Sequence, residues 1–173
     1  MKALALFSLL LPLAAQAAVA DSAPNGFTIK FSLTVNAPPD EVYGKLVRNI
    51  GGWWSPDHTF SHDPRNLSIE EKAMGCFCEK MPDGGAARHL EIIYFEPGKR
   101  IVMIGGLGPM QTLGVTGSLA VELSPGDHGT KVDVSYAVGG YRPGGFDKLA
   151  SVVDGVLMDQ FTRLRNFVET GQP

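Results

Sequence analysis

Cys76 and Cys78 are the only cysteines in the chain, and Glu79 follows them directly in a segment, Cys76 to Met81, that alternates like a β-strand. Side chains two apart on a strand share a face with Cα atoms about 6.7 Å apart, at the upper edge of the disulfide range of roughly 4.4–6.8 Å. Three readings are open to the pair, in this order: buried thiols packing as small hydrophobes, a strained and easily reduced disulfide, and half of a metal site. A zinc site needs two more ligands. His89 can lie on the next strand, but no spacing enforces it, so no metal is expected. Glu79 shares its face with Phe77 and Met81, opposite the cysteines, so only one of the two sets can look inward. An inward Glu79 would be a buried carboxylate with a raised pKa, suited to acid or base work. An outward one would pair with a cation, the commoner arrangement, and no catalytic residue is assigned.

Other chemistry-bearing residues read more blandly. His58 and His62 stand four apart between Pro56 and Pro64, which denies them a common helical face, so they are loop residues. His128 falls in a turn. Gly105-Gly106-Leu107-Gly108-Pro109 lacks both the Lys-Ser/Thr of a phosphate loop and a dinucleotide fingerprint, and is expected to shape a cavity rim or bend a strand. There is no Gly-x-Ser-x-Gly nucleophile elbow. Trp53 and Trp54 can lid a pocket mouth or pin a loop; adjacent side chains diverge, so the two are not expected to share a role.

The elements that must position these residues are legible from periodicity. Phe27 to Val35 alternates apolar and polar with period two, a strand half facing a core. From Pro39, Val42, Leu46 and Ile50 recur at helical spacing, with Glu41 early and Lys45 and Arg48 late as the helix dipole favours, and Gly51-Gly52 is expected to end the helix. Trp53 to Asn66 reads as an ordered loop. Six short strand-like runs follow: Leu67 to Lys72, Cys76 to Met81, Arg88 to Phe95, Arg100 to Ile104, Val115 to Leu123 and Thr130 to Val138. Their tight spacing favours antiparallel hairpins. A long amphipathic helix from about Gly145 to Glu169 closes the chain. The expectation is an α+β fold in which an antiparallel sheet of about seven strands curves around the C-terminal helix.

That order, one strand, one helix, six strands and one helix, resembles the helix-grip fold of the START/Bet v1-like superfamily, also called SRPBCC. Ala37-Pro38-Pro39-Asp40-Glu41-Val42-Tyr43 looks like its strand-to-helix junction, and Ile50-Gly51-Gly52-Trp53-Trp54 resembles the tryptophan motif closing its first helix. Gly75-Cys76-Phe77-Cys78-Glu79 followed by Asp83-Gly84-Gly85 is similar to a hairpin of the polyketide cyclase-like and Hsp90-activator-like branches. The resemblance implies a cavity between sheet and C-terminal helix. With it, the candidates for touching a ligand are Trp53, Trp54, Phe77, Glu79, His89, Tyr94, Met103, Phe146, Met158 and Phe161. No cofactor is expected. The leading expectation is a binding protein for a hydrophobic small molecule. The alternatives are a cyclase- or dehydratase-like enzyme, in which Glu79, His89 or Tyr94 moves protons, and a protein-interaction module.

Composition and the N-terminus set the compartment. Lys2, the apolar run Ala3 to Leu13 and the small residues Ala18-Val19-Ala20 form a secretory leader over residues 1–20, with Ala15-Gln16-Ala17 as a second cleavage site. The expected domain is 21–173, periplasmic or secreted, with no membrane span after cleavage and a monomer or weak homodimer as its state. A net charge of −3 with no basic run excludes the electrostatic footprint of a nucleic-acid binder.

Overall fold

The structure, a computed structural model, describes residues 18–173; residues 1–17, and with them most of the expected leader, lie outside the described residues. Eight strands form one curved, open, antiparallel sheet: β1 (Ala18–Ala23), β2 (Gly26–Val35), β3 (Leu67–Ile69), β4 (Cys76–Lys80), β5 (Ala86–Glu96), β6 (Arg100–Ile104), β7 (Val115–Gly126) and β8 (Gly129–Gly140). Their order across the sheet is β1-β2-β8-β7-β6-β5-β4-β3. The seven expected strands are present, and β1 is the addition. The sequence reading had given part of it, Ala18-Val19-Ala20, to the leader.

The chain's first long strand and its last are neighbours. β2 pairs β8 over its whole length, from Gly26 opposite Gly139 to Val35 opposite Thr130. The period-two pattern of β2 sends Phe27, Ile29, Phe31, Leu33 and Val35 into the core, where Val132, Val134 and Tyr136 of β8 meet them. Across this concave face lies α3 (Asp147–Thr170), begun at Phe146 and ended by Gly171 in the left-handed conformation that glycine adopts without strain. Phe146 packs on Phe27 at 6.0 Å between ring centroids, and Phe161 meets Phe31 edge-on at 5.6 Å. A sheet curved around one long helix is the helix-grip arrangement.

The first helix differs from expectation at its end. α1 (Pro39–Arg48) carries Asp40 and Glu41 in its first turn and Lys45 and Arg48 in its last. It breaks at Asn49, and Gly51-Gly52 lie inside a further helical turn, α2 (Ile50–Trp53), rather than ending the helix. The glycines are there for close approach. A Cβ on Gly51 would stand 2.8 Å from the Pro64 carbonyl oxygen, and one on Gly52 would stand 2.6 Å from the Phe167 ring.

Two irregularities in β5 decide which side chains face inward. Phe77 pairs with Leu90 but Cys78 with Arg88, so His89 is an extra residue, and His89 and Leu90 both turn into the core. Ile92 pairs with Met103 and Tyr94 with Val102, which makes Ile93 extra and turns Ile93 and Tyr94 outward together. Tyr94, expected to face the cavity, is therefore 47% exposed on the outer face, with Arg100 over its ring.

Candidate functional site

The Trp53–Ser55 exit from α2 carries the first wall of the site. Trp53 is a pin: its indole N–H donates to the Lys45 carbonyl, and Arg163 of α3 donates to the Trp53 carbonyl. Trp54 donates its indole N–H to the His58 carbonyl, tying the following loop into a closed turn. Gln160, fully buried on α3, accepts the Ser55 backbone N–H at 2.8 Å. The two rings do not diverge as expected. The chain leaves the helix at Trp54, and the ring centroids sit edge-on at 5.4 Å, so both tryptophans hold the loop and Trp54 also faces the cavity.

A cavity of about 350 Å³ opens between this loop, the glycine-rich segment after β6 and the N-terminal half of α3. From α3 come Leu149, Val153 and Leu157, with Val152, 63% exposed, and Val156 toward the mouth. From the glycine-rich segment come Leu107, Gly108 and Pro109, of the stretch expected to shape a rim or bend a strand, and Met110 just after it. Tyr136 holds that rim: its hydroxyl donates to the Gly105 carbonyl and accepts the Leu107 N–H, at 2.9 and 3.1 Å. Burial pushes its pKa up to about 12, so it stays a neutral donor. His58, read from the sequence as a plain loop residue, stands at the rim with Asp57.

Among the described residues, one buried ionisable pair, at the cavity, joins β4 and β5. Phe77 and Glu79 are the inward side chains of β4, which settles the face that the sequence left open. Glu79 does not pair with a cation on the outer face. It is fully buried, and its carboxylate accepts the backbone N–H groups of Phe60 at 3.0 Å and Ser61 at 2.6 Å and the Nε2–H of His89 at 2.9 Å. Burial raises the Glu79 pKa, but hydrogen bonding from the side chain and backbone of Ser61, from the Phe60 backbone and from His89 outweighs it and holds the group below its ordinary value, the reverse of the raised pKa expected of an inward carboxyl. Burial lowers that of His89 more than the neighbouring carboxylate raises it, so its net displacement is also downward. The imidazole ring stacks on Phe60 and leans on Phe77, at 5.5 and 5.0 Å between centroids. His89 lines the cavity, and its Nδ1 is buried without a hydrogen-bond partner among the described residues.

The remaining expected contacts are placed elsewhere. Met103, Phe146 and Phe161 are buried core, Met158 packs half-buried against it, and Phe77 stands behind Trp54 and His89 rather than at the cavity surface. Of the ten candidates, Trp54 and His89 line the cavity, while Trp53, Phe77 and Glu79 support them from behind. Cys76 and Cys78 lie on the opposite face of β4 and are joined in a disulfide with Cα atoms 5.3 Å apart. The buried-thiol reading thus gives way to the disulfide. Among the described residues, no group of three His, Cys, Asp or Glu side chains is placed to hold a metal, and no helix is long and apolar enough to cross a membrane.

Solved structures resemble this one over most of its length. DynU16, from the dynemicin biosynthetic locus, superposes with a TM-score of 0.60 at 22% identity over 84% of this chain. This chain spans 48% of DynU16. The likeness establishes the fold. CalU16 from Micromonospora echinospora gives 0.57 at 14% identity, covering 91% of this chain and 88% of its own. An uncharacterised Rhizobium leguminosarum protein gives 0.60 at 16%, covering 90% and 97%. All three share the fold of this chain. No protein-family model matches the sequence, and no curated protein does.

Proposed function

We propose that this protein binds a small, mainly apolar molecule in the cavity between its glycine-rich rim, the Trp54 loop and α3. The observation that carries the reading is the cavity itself: about 350 Å³, walled by Leu, Val, Met and aromatic side chains, with two buried polar residues in its lining, His89 and Thr59. Ligand pockets commonly run from about 300 to 1,000 Å³, apolar with a few placed polar groups, so the expected ligand is small. Binding would draw on apolar burial, at about 25 cal/mol per Å² before ordering costs. We place the protein in the periplasm or outside the cell. The leader pattern supports this, as does the disulfide, which persists in oxidising compartments.

The test is titration with a fluorescent apolar probe such as 1-aminoanthracene, in the wild type and in Val156→Trp, which fills the mouth from the half-buried side of α3. Saturable binding that the variant loses, with an unchanged circular dichroism spectrum, supports the reading. No saturable binding, or binding indifferent to the plug, overturns it.

A second reading, an acid–base enzyme, is favoured by one observation: a carboxylate holding a histidine whose other nitrogen is free is the arrangement of a general base. It differs in predicting turnover, with a pH–rate profile governed by His89.

A further inference from the structure

Tautomer and burial together say what the cavity asks of its occupant. A carboxylate that already accepts two backbone N–H groups can only accept from His89 as well, so the ring proton sits on Nε2. A neutral imidazole then has a bare lone pair on Nδ1. That nitrogen is buried in a residue 3% exposed, with no donor in reach among the described residues. The other polar groups of the wall are already engaged or stand at the rim: the Thr59 hydroxyl donates to the Pro56 carbonyl at 2.8 Å, and Asp57 and His58 are exposed. We propose that the ligand carries a neutral hydrogen-bond donor, a phenolic or alcoholic hydroxyl on an apolar body, which docks on His89 Nδ1. The proposal rests on the binding reading above. The same geometry disfavours a carboxylate ligand, whose charge would lie beside an acceptor backed by ionised Glu79. An apolar body without a donor leaves Nδ1 unsatisfied.

Three probes of one shape make the test: 2-naphthol, 2-methoxynaphthalene and naphthalene, titrated into the full chain at about pH 8, where a histidine of ordinary or lowered pKa is neutral. The expected result is 2-naphthol binding about tenfold tighter than either other probe, with that preference lost in His89→Phe, which keeps an aromatic ring against Phe60 and Phe77. Should His89→Phe fail to fold, a pH series on the wild type decides instead. Protonation places a hydrogen on Nδ1, so the 2-naphthol to 2-methoxynaphthalene preference collapses as the ring charges. The other titratable groups facing the ring or cavity are Glu79 from β4 and Asp57 and His58 from the Trp54 loop; α3 and the glycine-rich segment contribute only uncharged residues. All three probes are uncharged, so rim charges act alike on each. Equal affinity for the three probes, or a preference that survives both His89→Phe and acid, overturns the inference while leaving the binding reading intact. Failure of all three to bind overturns the binding reading and the inference together.

Discussion

Glu79 stays ionised in the core because the Trp54 loop brings two backbone N–H groups to it, and His89 stays neutral because burial outweighs the pull of that carboxylate. Both pKa values therefore lie below their ordinary 4.5 and 6.5. The unfolded chain takes up each proton at higher pH than the folded one, so stability falls with acid. The contribution of His89 is complete above 6.5 and declines as pH drops below it toward the folded value. That of Glu79 is complete above 4.5 and is lost as pH falls through its lowered value. We expect the urea midpoint to fall between pH 7.5 and 5.5, and the fall to be smaller in His89→Gln. A midpoint flat across that range would contradict the assignment. At this scale the sequence pointed to Glu79 and His89 but not to their bond, because the pairing depends on one extra residue in β5. Tyr136 went unnoticed for a different reason. It sits in ordinary alternation with Val134 and Val138, and its partners are backbone groups about thirty residues away.

Among the elements, α1, α3 and the seven expected strands were readable because each carries its own periodicity, 3.6 or 2, over enough residues to show. What escaped is where periodicity is broken. The sequence pattern puts Ile92 and Tyr94 on one face, and the displaced pairing at Ile93 undoes that. Gly51-Gly52 read as a stop signal, whereas Gly51 serves a contact between α2 and the 3-10 turn at Pro64–Asn66 and Gly52 one between α2 and Phe167 of α3. The contact is testable. In Gly51→Ala the new methyl meets backbone, which cannot rotate away, so we expect a loss of about 1–3 kcal/mol in equilibrium unfolding, as for overpacked cores. Displacement of Trp53 and Trp54 should accompany it as a shift in tryptophan emission. A fully stable Gly51→Ala with wild-type emission would show that α2 has room to move.

For the molecule as a whole, the strand-helix-strands-helix order gave the architecture, since a sheet with one apolar face and one long apolar-striped helix has few ways to bury both. The position of the cavity was not readable. Phe161, Phe31 and Trp53 fill the middle of the grip, and the cavity lies at the N-terminal half of α3, where the residues are Val and Leu and the facing segment is rich in glycine. Large side chains marked as ligand contacts were the ones that closed the space. β1 has a separate consequence. It covers the outer edge of β2 from Gly26 to Lys30, and Ser22 in it donates to Asp147 at the start of α3. If the proposed leader is removed, a cut after Ala17 keeps this strand whole, whereas a cut after Ala20 leaves only Asp21–Ala23 of it. Trimming by three residues would uncover Ile29 and Lys30 and so lengthen the unpaired edge that β2 presents beyond Lys30, the kind of edge that recruits other chains. Choice of cleavage site would then govern colloidal behaviour. A form beginning at Ala18 is expected to remain monodisperse in light scattering at concentrations where one beginning at Asp21 self-associates, and equal scattering from the two would show that β2 needs no cover.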